Sequence, residues 1–181
     1  IRADKSVYIT TSAAGAVSKP NEKVSDKCAK IKWVNDIFCD NKKVCGILTE
    51  ASLNVENGGL DFAVLGIGVN IKPPDGGFPE EIRDVAGAIF DAEPQLLDAR
   101  SILIAEILDE FWGYYTRIED KTFLEEYKNR SILLGKKITV IKGNSRQDAT
   151  ALSIDDDCRL KVKYNDNSVE TLFSGEVSIK I

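Results

Sequence analysis

Apolar positions along the chain change their spacing several times, and each change predicts an element. Residues 8 to 19 (YITTSAAGAVSK) are small and apolar enough for a closely packed helix. Pro20 should stop or kink that helix, because it has no N–H and clashes with the preceding turn. From 29 to 38, Ala29, Ile31 and Trp33 alternate with Lys30, Lys32 and Val34, which is the two-residue period of a strand. Two more strands are expected at 43–53 and 60–71, joined by a turn at Glu56-Asn57-Gly58-Gly59. The second of these, LDFAVLGIGVNI, is almost wholly apolar, as expected of a central strand covered on both faces.

Pro73-Pro74 and Gly76-Gly77 then predict a loop, and Pro79 predicts the first turn of a short helix over 79–90. The clearest helix covers 97–118, where Leu103, Ile104, Ile107, Leu108, Phe111 and Tyr115 recur at helical spacing. Another, over 120–130, carries Phe123, Leu124 and Tyr127. Near Leu134-Gly135 the pattern turns to short alternating strands: KKITVI, QDATALSI, RLKVKY, SVETLF and EVSIKI. Polar turns at Asp155-Asp156-Asp157 and Asn165-Asp166-Asn167 separate them, a spacing that predicts a small β-barrel. The expected fold class is α+β: a mixed or antiparallel sheet with helices over 1–132, then a small all-β domain over 133–181.

Composition narrows the function classes. The chain has 181 residues and a net charge of 24 − 29 = −5, so its overall field does not favour nucleic acid. No apolar run reaches the 18 or so residues of a membrane span, and nothing resembles a signal peptide. The four cysteines (Cys28, Cys39, Cys45, Cys158) form no C-x-x-C pair and there is no histidine, so no zinc site is expected. Reduced thiols in a cytoplasmic protein are the simplest reading. Methionine is absent even from position 1, as in a fragment, a processed chain or an altered sequence.

Three short segments carry candidate chemistry. Gly66-x-Gly68-x-Asn70 closes the apolar strand, but Pro73-Pro74 follows where a dinucleotide-binding helix would begin. The glycines either ease tight sheet packing or let a flat ligand lie on the strand. In the second case Asn70 would offer an amide donor and acceptor to a heterocycle. Gly46, beside Ile47 and Leu48 on the neighbouring strand, could line the same cavity. Lys43 is either a solvated strand-end lysine or a fixed cation for a carboxylate or phosphate. Asn35 and Asp36 fall where a turn favours them for backbone reasons.

Taken together, K-W-V-N-D at 32–36, K-K-V-C-G-I-L-T-E at 42–50 and G-I-G-V-N-I at 66–71 are more specific. In this order and spacing they resemble the catalytic domain of bacterial biotin protein ligases, with its K-W-[PV]-N-D, K-[VIL]-x-G-I-L-x-E and G-x-G-x-N motifs. The resemblance continues through F-P-E-E-I-R-D-V-A-G to the terminal S-G-E-V-S-I and covers essentially the whole chain. It implies a class II synthetase-like ligase domain, in part, followed by an SH3-like β-barrel. It also implies ATP-dependent conversion of biotin to biotinyl-5′-AMP, with Mg2+, and transfer to a lysine of a biotin carboxyl carrier protein such as that of acetyl-CoA carboxylase.

By the same resemblance Lys43 is the catalytic lysine that contacts the biotin carboxylate and α-phosphate. Asp36 is the aspartate that orients or deprotonates the carrier lysine, and Asn70 holds adenine. Gly46, Ile47, Leu48, Gly66 and Gly68 line the biotin pocket, while Glu176 and Lys180 reach back towards the nucleotide. No metal-ligating side chain is implied, and a homodimer is an open alternative. The family's G-R-G-R-x-G-R loop and the S-T-N segment before it do not occur in this sequence. A non-catalytic fragment or nucleotide- or carrier-binding module is therefore the competing expectation, with a lipoate-type ligase as a third.

Overall fold

A computed structural model describes residues 5–25, 27–54, 58–92, 98–173 and 176–179. Helix α1 spans Val7–Ser25 and is buried along most of its length, with Tyr8, Ala13, Ala14, Ala16 and Val17 fully enclosed. Its buried hydroxyls are satisfied within the helix: Thr11 donates to the Val7 carbonyl (2.9 Å) and Ser18 to the Ala14 carbonyl (2.8 Å). The helix does not stop at Pro20 but carries it in its interior. A proline removes one backbone bond, and here the burial of the preceding turn and of Pro20 and Asn21 themselves holds the helix through the gap.

The expected strand over 29–38 is a hairpin instead: β1 (Lys30–Lys32) and β2 (Asp36–Cys39) pair antiparallel around Trp33-Val34-Asn35. The Trp33–Val34 peptide is cis. Long strands β3 (Lys42–Asn54) and β4 (Gly59–Val69) complete a sheet of order β1-β2-β3-β4. Of the turn between them, 55–57 lie outside the described residues; Gly58 takes φ +68°, which glycine accepts freely. α1 packs behind β1–β3.

β4 is not the central strand its apolar run suggested. It is the edge of the sheet, with Phe62 61 % and Val64 57 % exposed. Leu60 packs against the core near the start of the strand, and Leu65, Ile67 and Val69 turn inward towards α2 (Ala99–Tyr115), leaving an apolar groove of about 400 Å³. The predicted helix over 79–90 is likewise a few tight turns, because the backbone of 85–87 is engaged elsewhere. Lys43 N–H donates to the Val85 carbonyl (2.7 Å) and Gly87 N–H to the Lys43 carbonyl (2.8 Å). After α2 come a 3-10 turn (Ile118–Asp120) and α3 (Leu124–Asn129).

Five strands follow: β5 (Lys137–Lys142), β6 (Ser145–Ile154), β7 (Leu160–Tyr164), β8 (Val169–Leu172) and β9 (Glu176–Ile179). They pair antiparallel in the order β8-β7-β6-β5-β9. Among the described residues no pairing joins β8 to β9, so the SH3-like sheet is open at that seam. One apolar cluster runs through both sheets, from Ala13 and Ile37 to Ile138, Leu160 and Val177.

The junction is also polar. Trp33 Nε1 donates to the Cys158 carbonyl (2.8 Å), and the loop Asp155–Cys158 meets Lys5, Tyr8 and Lys121. Tyr8 Oη donates to Asp157 Oδ1 (2.7 Å), and this bond, with Lys5 beside it, lowers the Asp157 pKa to about 2.

Candidate active site

The open face of the first sheet, opposite α1, gathers most of the sequence-predicted residues. Asp36 on β2 stands directly across from Gly46 on β3, and Gly46 across from Gly68 on β4. Leu48 pairs with Gly66 in the same way. Strict alternation would put Lys43, three residues before Gly46, on the opposite face.

The register breaks the alternation. Ile37 faces Cys45 and Phe38 faces Lys43, so Val44 is an extra residue, a β-bulge. Val44 and Cys45 both turn into the core, 0 % and 1 % exposed, and Lys43 returns to the face that carries Asp36 and Gly46. There Lys43 Nζ lies 2.7 Å from Asp36 Oδ1. The pair is half-buried, with 39 % and 19 % of the respective side chains exposed.

Gly46 leaves that pair room. A Cβ on it would meet Lys43 Cε at 3.3 Å and Nζ at 3.4 Å. Its missing side chain thus makes room for the lysine as well as for a ligand. Gly66 and Gly68, by contrast, would meet only carbonyl oxygens, at 3.7 and 3.8 Å, and keep the strand surface flat.

Two hollows share this centre. One, about 500 Å³, is lined by Asn35, Asp36, Lys43, Leu48, Gly66 and Gly68. The other, about 380 Å³, has Lys43, Gly68, Asn70, Ile82, Val85 and Ala86 on its walls. Lys43 and Gly46 belong to both, so a cation sits where two compartments meet.

Asn70 is fixed before any ligand arrives: its Nδ2 donates to the Gly87 carbonyl (2.9 Å), leaving Oδ1 as its acceptor. Ile47 is 2 % exposed and points into the core, so its contribution to the site is backbone. The backbone of Glu176 lies in β9, but its side chain and all of Lys180 lie outside the described residues. Burial, with Asp36 close by, pushes the Cys45 thiol up to about 12, which leaves it protonated and inert beside the pair.

Three supporting residues escape sequence reading. Asn35 Nδ2 donates to the Ile47 carbonyl (2.6 Å) and pins the hairpin turn to β3. Lys42 donates to the carbonyls of Arg83 (3.0 Å) and Asp84 (2.7 Å), securing the wall of the second hollow. Gly87 packs so closely that a Cβ would lie 2.4 Å from that of Lys42. Only the doublet Val44-Cys45, two apolar residues in succession within an alternating strand, hinted at the bulge.

Fold and site together define an α+β protein with a flat glycine-lined sheet, a cation–carboxylate pair and a small appended β-sheet. Residues 133–180 match the family described as Biotin protein ligase C terminal domain. The bifunctional ligase/repressor BirA of Bacillus subtilis is 28 % identical over 178 residues, covering 97 % of this chain and 54 % of its own. The biotin–[acetyl-CoA-carboxylase] ligase of Mycobacterium tuberculosis is 28 % identical over 134 residues, covering 72 % and 46 %.

Among solved structures, apo biotin protein ligase from Aquifex aeolicus superposes with a TM-score of 0.76 at 21 % identity, covering 96 % of this chain and 75 % of that one. The same enzyme in complex with biotin and ATP gives 0.74 at 21 % identity, covering 96 % and 71 %. The chain is thus similar to biotin protein ligases over nearly its whole length, and its residues 133–180 to their C-terminal domain. It spans about half the length of the curated relatives it matches.

Proposed function

We propose that this chain carries the sheet-borne half of a biotin protein ligase active site, and that residues 1–132 form the ligase part and 133–181 the appended domain. The observation that carries the reading is the Lys43–Asp36 pair set between two hollows on a glycine-cleared sheet. The hollow over Leu48, Gly66 and Gly68 suits an apolar bicyclic ring, and the hollow at Asn70 suits adenine. The ligand's anionic carboxylate or phosphate would then fall at Lys43.

In the first step a biotin carboxylate oxygen attacks the α-phosphorus of ATP. The bond to the β-phosphate oxygen breaks and pyrophosphate leaves with the electron pair. Lys43, a pre-placed cation in a half-buried site, stabilises the negative charge that gathers there. In the second step Asp36 takes a proton from the ammonium of the carrier lysine. The freed amine attacks the acyl carbon, the acyl C–O bond breaks, and AMP leaves with the pair while the remaining N–H proton passes to phosphate or water. Magnesium accompanying ATP would bind phosphate oxygens and water; among the described residues no three acidic, His or Cys side chains come together to cage it.

Calorimetric titration with biotinyl-5′-AMP tests the reading. The chain is expected to bind it, and Lys43→Ala to weaken binding by about ten- to a hundredfold, the worth of one charge-assisted hydrogen bond. Absence of binding, or equal affinity in the variant, overturns the reading. The alternative is a binding module that performs no chemistry. Biotin-dependent ATP–pyrophosphate exchange decides that point: exchange supports a catalytic chain, and binding without exchange supports the module.

A further inference from the structure

The pair at the centre of the site poses a problem. Lys43 is needed by an anion and Asp36 by an ammonium, yet without ligands each neutralises the other at 2.7 Å. While so engaged, each offers its other partner a charge already partly balanced. The surroundings hold them in contact: the Val44 bulge aims the lysine, Gly46 clears its path, and Asp36 stands across from Gly46. The Lys43 backbone is clamped between Val85 and Gly87, so only its side chain can travel.

We infer that this pair is a charge exchange that makes the two half-reactions sequential, an inference that rests on the ligase reading of the site. The anion of the acyl-adenylate draws Lys43 Nζ away from Asp36. The carboxylate, stripped of its cation and 19 % exposed at the rim, then attracts the next available cation, the ammonium of the acceptor lysine. An acceptor that arrives early meets a neutralised carboxylate and is not held. Gly46 and the Val44 bulge are positioning residues for this exchange, and Asp36 restrains the lysine before it serves the acceptor.

The test is a double-mutant cycle on binding of a hydrolysis-resistant sulfamoyl analogue of biotinyl-5′-AMP, which isolates affinity from turnover. Asp36→Asn preserves shape and removes the restraint, so it is expected to tighten binding by about two- to fivefold, the worth of a partly exposed ion pair. The gain should vanish in the Lys43→Ala background. A gain that persists there means simple repulsion between Asp36 and the ligand, and overturns the exchange.

Unchanged or weaker binding by Asp36→Asn, with a thermal midpoint showing the variant folded, overturns it too. In both cases the loss on Lys43→Ala still stands and the ligase reading survives. If the parent chain fails to bind the analogue, or Lys43→Ala has no effect, the ligase reading falls and the exchange with it.

Discussion

At the residue scale, the site depends on which side chains are absent as much as on those present. Gly87 is the sharpest case, because a methyl group there would have to displace Lys42, whose Cβ lies 2.4 Å away. Gly87→Ala should push the 85–87 segment off β3 and cost about 1–3 kcal/mol, the usual penalty of overpacking. Thermal unfolding measures that loss. The proposed binding of nucleotide at Asn70 should weaken in parallel, since the Gly87 carbonyl orients Asn70.

Candidate residues could be singled out from sequence because K-W-V-N-D, K-K-V-C-G-I-L and G-I-G-V-N are specific strings, and the structure brings most of them to one face of the first sheet. Their mechanical roles were not legible in the same way. The placement of Lys43 depends on one extra residue in a strand, and the clearance around Gly46 and Gly87 depends on partners remote in sequence.

Elements were legible where one periodicity ruled. α2 and β3 lie close to where spacing puts them, and the change to short strands after Leu134 is clear. Expectation failed where tertiary packing overrode local preference. Pro20 sits within α1, and the 79–90 segment gave up helical bonds to pair with Lys43. The apolar run of β4 says that both faces could be covered, not that the chain supplies a neighbour for its edge.

One residue does much to hold the elements together. Arg130 donates to Glu22 at the end of α1 (2.6 and 2.8 Å), to Glu126 on α3 (2.7 Å) and to the Ala29 carbonyl before β1 (2.9 Å). It is 15 % exposed, and removing it would leave two carboxylates facing each other without their cation. Arg130→Ala should therefore destabilise by about 3 kcal/mol. Arg130→Lys should rescue little, because a point charge cannot serve three directions as a guanidinium does. Denaturant unfolding of both variants checks the pair.

At the scale of the whole molecule, strong acid should loosen the contact between the two sheets. Asp157 is depressed from 3.8 to about 2, so its contribution is fully present above pH 4 and disappears as pH falls through 2. Thermal midpoints should fall over that window, and Asp157→Asn should flatten the fall while lowering the midpoint at neutral pH. A midpoint for Asp157→Asn that tracked the parent across the window would show that the Asp157 carboxylate does not hold the loop. The two tryptophans make the same junction visible without a label. Trp33 is 3 % exposed with its indole N–H on the Cys158 carbonyl, while Trp112 is 63 % exposed on α2. Iodide should quench the emission of Trp112 and spare Trp33, so the protected fraction becomes an optical gauge of whether the second sheet is seated.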